Sequence, residues 1–178
     1  MRRLLLLLLC ALGSVGCAGH AARHAPSPVA EADATHEYPS PAAKPQTAAH
    51  PTPTGAQAIR AFATAYINWN AQTVSADMRT LAARSVGQAR AAMTLAAAQT
   101  AADYELQRGG ISNRGMVEAV APLAGRGRNQ YVVVTLESTA ATNTTAYQGL
   151  RPAWHLALAT VTAERPGEWV VSGWQPEN

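Results

Sequence analysis

The spacing of apolar residues changes abruptly at the glycine pair Gly109 and Gly110, and this change constrains the fold more than any other feature. Before it, Ile59, Phe62, Tyr66 and Trp69 recur every three or four residues, which places them on one face of a helix. After it, apolar and polar residues alternate, as in half-buried strands. No helical crossover separates the strands, so the order predicts an α+β domain with an antiparallel sheet.

The first half of the domain predicts three helices. The first opens with Thr54, which begins a capping-box pattern. The second begins at Thr73 or Ser75, and the third runs over about 86–107 until the glycine pair allows a left-handed cap. Buried positions are expected at Met78, Leu81 and Ala82 of the second helix and at Ala89, Met93, Ala96 and Tyr104 of the third.

The second half predicts four strands, over about 115–123, 129–139, 151–164 and 169–174. In the second strand, Val132, Val134 and Leu136 oppose Tyr131, Thr135 and Glu137; in the third, Trp154, Leu156 and Leu158 oppose His155, Ala157 and Val161. Pro166 and Gly167 are typical of a type II turn before the last strand. We therefore expect three helices packed on a curved four-stranded antiparallel sheet over residues 54–178.

The N-terminus predicts export and a lipid anchor. Arg2 and Arg3 precede six leucines at 4–9, and small residues follow up to Cys17. This apolar stretch is shorter than the roughly 20 residues that span a bilayer, so it is typical of a signal peptide. The order resembles a bacterial lipoprotein signal, which implies removal of residues 1–16 and lipidation of Cys17 on the extracytoplasmic side of the cell membrane.

The alternative to a lipid anchor is an ordinary secreted protein that is cut near Ala18 or Ala22. Cys10 is the only other cysteine, and it leaves with the signal. A lipidated Cys17 therefore leaves the folded part without a thiol, which excludes a disulfide framework, a zinc–cysteine cluster and a cysteine nucleophile.

Residues 17–53 predict a disordered linker behind the anchor. They hold seven of the eleven prolines and show no apolar periodicity. The spacing of His20, His24, His36 and His50 does not match a compact metal site, so no metal is expected.

Charge and motifs argue against nucleic-acid and cofactor binding. Removal of Arg2 and Arg3 with the signal lowers the formal charge from +3 to +1, and no basic run is present. No glycine-rich phosphate loop follows a predicted strand, so no nucleotide or other cofactor is expected.

Three segments carry a resemblance to a known family: residues 61–69 (AFATAYINW), 131–135 (YVVVT) and 169–174 (WVVSGW). In their order of helices and strands they resemble the nuclear transport factor 2 superfamily of cone-shaped α+β domains. They are similar to its extracytoplasmic members in conjugation and type IV secretion machineries. The resemblance implies a non-enzymatic assembly or scaffold domain with a protein partner in the cell envelope, and it leaves a homo-oligomer open.

Some relatives of this shape are isomerases or cyclases, for which the local acid–base candidates are Tyr66, Asp103, Tyr104 and His155. No nucleophile, base and orienting group can be named together, so no catalytic residue is expected. A ligand pocket or the core is expected to hold Tyr66, Trp69, Tyr104, Trp154 and His155. The core is favoured for Trp154 and Trp169, whereas Trp174 is the best candidate for an exposed interface.

The sequence therefore favours a lipid-anchored interaction or scaffold domain, accessory to a conjugation or secretion apparatus. One alternative is a tethered module that binds a small apolar ligand in the mouth of the cone. A second alternative is an isomerase- or cyclase-like enzyme.

Overall fold

The structure is a computed structural model that describes residues 44–125, 127 and 129–177. The predicted signal, Cys17 and residues 18–43 of the predicted linker lie outside the described residues. The folded unit is Lys44–Asn178. It begins ten residues before the predicted boundary at Thr54, because residues 44–53 lie against the domain.

The described residues form four helices and five strands. In chain order these are α1 (Gly55–Ile67), β1 (Trp69–Asn70), α2 (Val74–Ala83), α3 (Gly87–Ala102), α4 (Tyr104–Gly109), β2 (Ile111–Pro122), β3 (Gln130–Ala141), β4 (Ala153–Arg165) and β5 (Glu168–Glu177). The strands pair in the order β1-β2-β3-β4-β5, and every pair is antiparallel. The α+β class and the curled antiparallel sheet are thus confirmed, but the predicted numbers of helices and strands are wrong.

Local side-chain bonds explain where the helices start and stop. Thr54 Oγ1 accepts a 3.2 Å hydrogen bond from the Gln57 amide and caps α1 as predicted. The predicted third helix is interrupted at Asp103, where the backbone is extended and the carboxylate accepts a 2.9 Å bond from the Leu106 amide. Asp103 therefore ends α3 and caps α4, because a short carboxylate competes for backbone donors. Gly110 closes α4 with a φ of 61°, as predicted.

The additional strand β1 arises because α1 ends at Ile67 instead of continuing through Trp69. The side chain of Asn68 then pairs with the backbone of Gly115 in both directions, with two hydrogen bonds of 3.1 Å. Trp69 and Asn70 extend this pairing as a two-residue strand against β2. A strand this short leaves no periodicity to detect in the sequence.

The hydrophobic core lies between the helices and one face of the sheet, which we call the inner face. On β3 and β4 this face carries Val133, Ala157, Ala159 and Val161, all of them buried. Its cover comes mainly from α1 and α3, and α2 packs on α3 behind them. The buried residues of this core are Ala58, Ile59, Phe62, Ala63, Val74, Met78, Leu81, Ala82, Ala89, Met93, Ala97, Val133, Ala157, Ala159, Val161, Val171 and Trp174.

Residues 44–53 form a strap along β5. The backbones of Thr52 and Trp169 exchange two hydrogen bonds, of 3.0 and 2.8 Å. The Ala48 amide donates a 2.8 Å bond to Glu164 Oε1, and the Ala48 side chain is buried with Val86 and Val170. The strap therefore covers one end of the opposite face of the sheet, which we call the outer face.

Side chains and loops also cover both edges of the sheet. On the β5 edge, the Val86 amide donates to the Val171 carbonyl at 3.0 Å, and the Gln88 amide group bonds both backbone groups of Trp174. On the β2 edge, Arg60 Nη1 donates to the Val117 carbonyl at 2.8 Å. Occupied edges of this kind discourage pairing with another strand.

Candidate interaction surface

The outer face of the sheet carries large apolar side chains that the helices do not cover. Strand register places Met116, Leu136 and Trp154 side by side in one row. The next row pairs Val134 with Leu156, and the one after it pairs Val132 with Leu158. We call this set of eight residues the outer apolar face: Met116, Ala121, Val132, Val134, Leu136, Trp154, Leu156 and Leu158.

Several of these side chains are strongly exposed to solvent. Exposure is 64% for Trp154, 63% for Met116, 50% for Leu156 and 36% for Leu158. Isolated exposed apolar residues are ordinary, but a contiguous patch on three adjacent strands marks an interaction site. This patch is therefore the best candidate for a functional surface among the described residues.

A groove of about 700 Å³ continues the outer apolar face toward β5. Its lining includes Leu123 and Leu158 together with the amides of Gln130 and Gln175. Gly173 also lines the groove, and an added Cβ there would come within 3.2 Å of the Thr160 side chain. The apolar centre thus passes into a polar margin, which is the usual anatomy of a protein interface.

The charges near the outer apolar face are few and of both signs. Arg114 lies on the same side of β2 as Met116, and Glu118 lies in the bulge that follows it. Glu177 stands opposite Leu156. All three are exposed. Among the described residues, the margin of this face therefore carries charges of both signs.

A polar cluster lies on the opposite, inner face, and its side chains are hydrogen-bonded to one another. Glu137 accepts hydrogen bonds of 2.6 Å from Asn113 Nδ2 and from Thr135 Oγ1. Asn113 also donates to the Ile67 carbonyl at 2.9 Å and accepts from Thr139 Oγ1 at 3.1 Å. These bonds tie β2, β3 and the end of α1 together, so the cluster has a structural role that needs no ligand.

Aromatic side chains fill the space beside this cluster. The ring centroid of Trp174 lies 5.1 Å from that of Phe62 and 5.2 Å from that of Tyr66. Burial raises the pKa of the Tyr66 hydroxyl, the Trp174 indole opposes this rise, and the Glu137 carboxylate adds to it. The Trp174 indole nitrogen is buried beside Tyr66, but it makes no hydrogen bond of regular geometry among the described residues. These three rings pack against one another, so they leave no open space between them for an apolar ligand.

The structure reverses the roles predicted for two tryptophans. Trp174, the predicted interface residue, is only 3% exposed and belongs to the core, so that prediction is wrong. Trp154, expected in the core or a pocket, is one of the most exposed apolar residues described, and that expectation is also wrong. Trp169 packs against the core as expected.

The other predicted pocket residues do not form one site. Tyr66 and Trp69 are half-buried and pack against the core, as one of their two interpretations predicted. Tyr104 is 69% exposed on α4, so its predicted burial is wrong. His155 lies opposite Thr135 and is exposed near the start of β4. Asp103 is also exposed and caps α4, which leaves it outside any interior cavity.

The sequence did contain a signal for the outer apolar face, but an ambiguous one. Alternate residues of β4 are apolar on both sides, with Trp154, Leu156 and Leu158 on one side and Ala157, Ala159 and Val161 on the other. Periodicity identifies two faces but does not say which of them the helices cover. Larger side chains suggested the core, and the structure shows the smaller ones there.

None of the described helices is long and apolar enough to cross a bilayer. Within the described part of the chain, no three His, Cys, Asp or Glu side chains are arranged to hold a metal. The predicted linker residues His20, His24 and His36 lie outside it. No protein-family model matches the sequence, and no curated protein is significantly similar to it.

Proposed function

We propose that this chain is a lipid-anchored interaction domain on the extracytoplasmic side of the bacterial cell membrane. Cys17 carries the anchor, and the outer apolar face docks a protein of the cell envelope. In this proposal the domain is a cone-shaped scaffold of the nuclear transport factor 2 type, accessory to a conjugation or secretion apparatus. The single observation that carries the docking function is the exposed row of Met116, Leu136 and Trp154 with its neighbours.

The chemistry of the outer apolar face fits protein docking. Tryptophan and methionine are enriched at the centres of protein interfaces, where a few buried anchors supply most of the binding free energy. Trp154 stands at the end of a row, and Leu156 and Leu158 continue its apolar surface along β4. The glutamines around the adjacent groove supply hydrogen-bonding groups at the margin.

The docking function can be tested by photo-crosslinking in cells. A photoreactive residue at Leu156 should crosslink the chain to another protein. The same residue at Leu95, an exposed leucine on α3, is the matched control and should not. Equal crosslinking at the two positions, or none at Leu156, would contradict a docking role for the outer apolar face.

The anchor has a separate test in the same cells. Cys17→Ser should move the protein from the membrane fraction to the soluble extracytoplasmic fraction, because the acyl chains supply the membrane affinity. An unchanged distribution would show that Cys17 is not the point of attachment.

A second candidate function, binding of a small apolar ligand, is favoured by the groove of about 700 Å³. Since Phe62, Tyr66 and Trp174 fill the interior beside the helices, the ligand would occupy the groove next to Gly173. Native mass spectrometry of protein purified from membranes should then show a bound small molecule. Leu158→Glu, which places a carboxylate in the lining of the groove, should remove it.

A further inference from the structure

We propose that the cleft between the strap, α1 and α2 binds a small carboxylic acid with an apolar body. His50 of the strap, Ala61 of α1 and Arg84, which follows α2, meet around a cavity of about 330 Å³. This volume lies within the range of small-molecule pockets, about 300–1,000 Å³. The cleft shares no residue with the outer apolar face, so the inference does not depend on the proposed docking function.

The floor of the cleft is apolar. Phe62 of α1, Leu81 of α2 and Val171 of β5 line it, and all three residues are buried. The lining residues from α1 also include the alanines at positions 58 and 61, whose short side chains leave space beside Phe62. A short alkyl chain or a small ring that enters this space would therefore exchange water for apolar contacts.

The mouth of the cleft carries basic side chains. His50 and Arg84 line the cleft and are exposed to solvent, and no Asp or Glu is among its described lining residues. The two salt bridges of the described chain involve other arginines, Arg108 and Arg165. Arginine keeps its charge, and an imidazole can donate a hydrogen bond in either of its charge states. Together these side chains offer donors to a carboxylate, which a guanidinium can bind through two parallel hydrogen bonds.

The backbone at His50 is held in a conformation that few residues adopt. Its φ is 57°, and among the described residues it is the one non-glycine residue with a positive φ. Hydrogen bonds fix the chain on both sides of it. The Ala49 amide donates to the Ala83 carbonyl at 2.8 Å, and Thr52 pairs with Trp169. Because strained residues concentrate at ligand sites, this strain supports a binding role for the position of His50.

A carboxylic acid with an apolar body suits both ends of the cleft. An uncharged ligand would shield Arg84 from water without giving the guanidinium a partner. A phosphate or sulfate carries oxygen atoms on all sides, so the apolar floor would leave some of them without hydrogen bonds. A carboxylate at one end of an apolar body instead places its charge at the mouth and its carbon atoms on the floor.

The test is an NMR titration of the isotopically labelled full chain in a non-ionic detergent, with hexanoate as the probe. We expect saturable shifts of the backbone amides of Ala61, Arg84 and Val170, which line the cleft, and no comparable shifts on α4. Hexanamide has the same shape without the charge, and acetate has the charge without the alkyl chain. Each should bind about 10-fold more weakly than hexanoate. An absence of saturable shifts with hexanoate, or equal binding of hexanamide, would overturn the proposed site.

Two arginine variants show whether binding depends on the mouth of the cleft. Arg84→Gln removes the charge and should weaken hexanoate binding about 10-fold, as expected when a hydrogen bond to a charged group is lost. Arg79→Gln is the matched control, because Arg79 is an exposed arginine of α2 that does not line the cleft. It should leave the affinity unchanged. Equal affinities of the two variants would contradict recognition of the carboxylate by Arg84.

His50→Gly tests the second donor without disturbing the strap. Glycine adopts a positive φ without strain, so the variant keeps this backbone conformation and should not lower the thermal midpoint. Loss of the imidazole should weaken hexanoate binding about 3-fold. An unchanged affinity would overturn the role of His50 in binding.

Filling the cleft gives a test that does not depend on charge. Ala61 is exposed and lines the cleft, so Ala61→Leu adds a larger side chain there without changing a buried core position. This variant should lose the hexanoate-dependent shifts, and its circular dichroism spectrum should match that of the unmodified chain. Shifts that persist in this variant would place hexanoate elsewhere and overturn the site.

Discussion

The two faces of the sheet differ less in apolar character than in side-chain size. On β4 the inner face carries Ala157, Ala159 and Val161, whereas the outer face carries Trp154, Leu156 and Leu158. Small side chains let α1 and α3 approach the inner face closely, and larger side chains from the helices fill the space between. The comparison teaches that the fit of the covering helices decides which face is buried, and that the face with the larger side chains stays exposed.

The outer face itself has two parts. At one end the strap of residues 44–53 buries Val170 together with Ala48. At the other end Leu156 and Trp154 have no cover among the described residues. The chain thus protects the part of this face that lies beside the β5 edge and leaves the broad centre accessible.

The largest effect is expected when the two tryptophans, one on each face of the sheet, are replaced by alanine in separate variants. Trp174→Ala should lower the free energy of unfolding by about 3–5 kcal/mol, because it opens a cavity beside Phe62 and Tyr66. Trp154→Ala should change it by no more than about 0.5 kcal/mol in dilute solution. Urea denaturation of the two variants measures the difference, and similar losses would mean that the two faces are not distinct.

A smaller effect should separate the covered and uncovered parts of the outer face. Val170→Ala should lower the free energy of unfolding by about 2 kcal/mol, because the strap and Val86 bury this side chain. Leu156→Ala removes more atoms but should cost about 0.5 kcal/mol or less, since it is half exposed. Chemical denaturation at low protein concentration compares them. If Leu156→Ala proves the more costly, the strap does not cover Val170 as described.

The smallest expected effect is on the pH dependence of the free energy of unfolding, and it concerns Tyr66 on the inner face. Burial raises the pKa of Tyr66 above its ordinary value of 10.0, so the folded state retains this proton longer than the unfolded state. Its contribution to stability is complete below pH 10.0 and is lost as the pH rises through the folded-state pKa. Tyr66→Phe should therefore flatten the fall in stability above that pH.

The unmodified chain and the Tyr66→Phe variant are also compared near neutral pH, where Tyr66 holds its proton in both the folded and the unfolded state. An equal slope for the Tyr66→Phe variant and the unmodified chain would show that Tyr66 is not the group responsible.

The sequence predicts the α+β class, the antiparallel sheet and most helix positions, because each depends on local patterns. The Thr54 cap and the left-handed Gly110 are both set by neighbouring residues. The break at Asp103 was missed because an alanine-rich helix carries little periodicity on either side of it. Strand β1 was missed because it is too short to alternate.

The candidate surface was harder to predict because it depends on contacts between distant segments. Trp154 and Trp174 both lie in alternating strands, and only the packing of α1 on the sheet makes Trp174 internal. The strap was assigned to the linker because its prolines suggest an extended chain, which is also the conformation that lets it lie along β5. Its backbone partners, Trp169 among them, lie far away in the sequence.

The antiparallel pairing of the strap with β5 has a mechanical consequence. The strap meets the strand at the pair Thr52 and Trp169, but nearer Lys44 it is bonded to the start of α3, where Gly87 donates to Gln46 and Arg90 donates to the Thr47 carbonyl. A pull applied at Lys44 therefore loads the bonds of Gln46 and Thr47 before it reaches the Ala48 bond and the Thr52 pair. Tension at Lys44 would thus reach the first turn of α3 before it reaches the sheet.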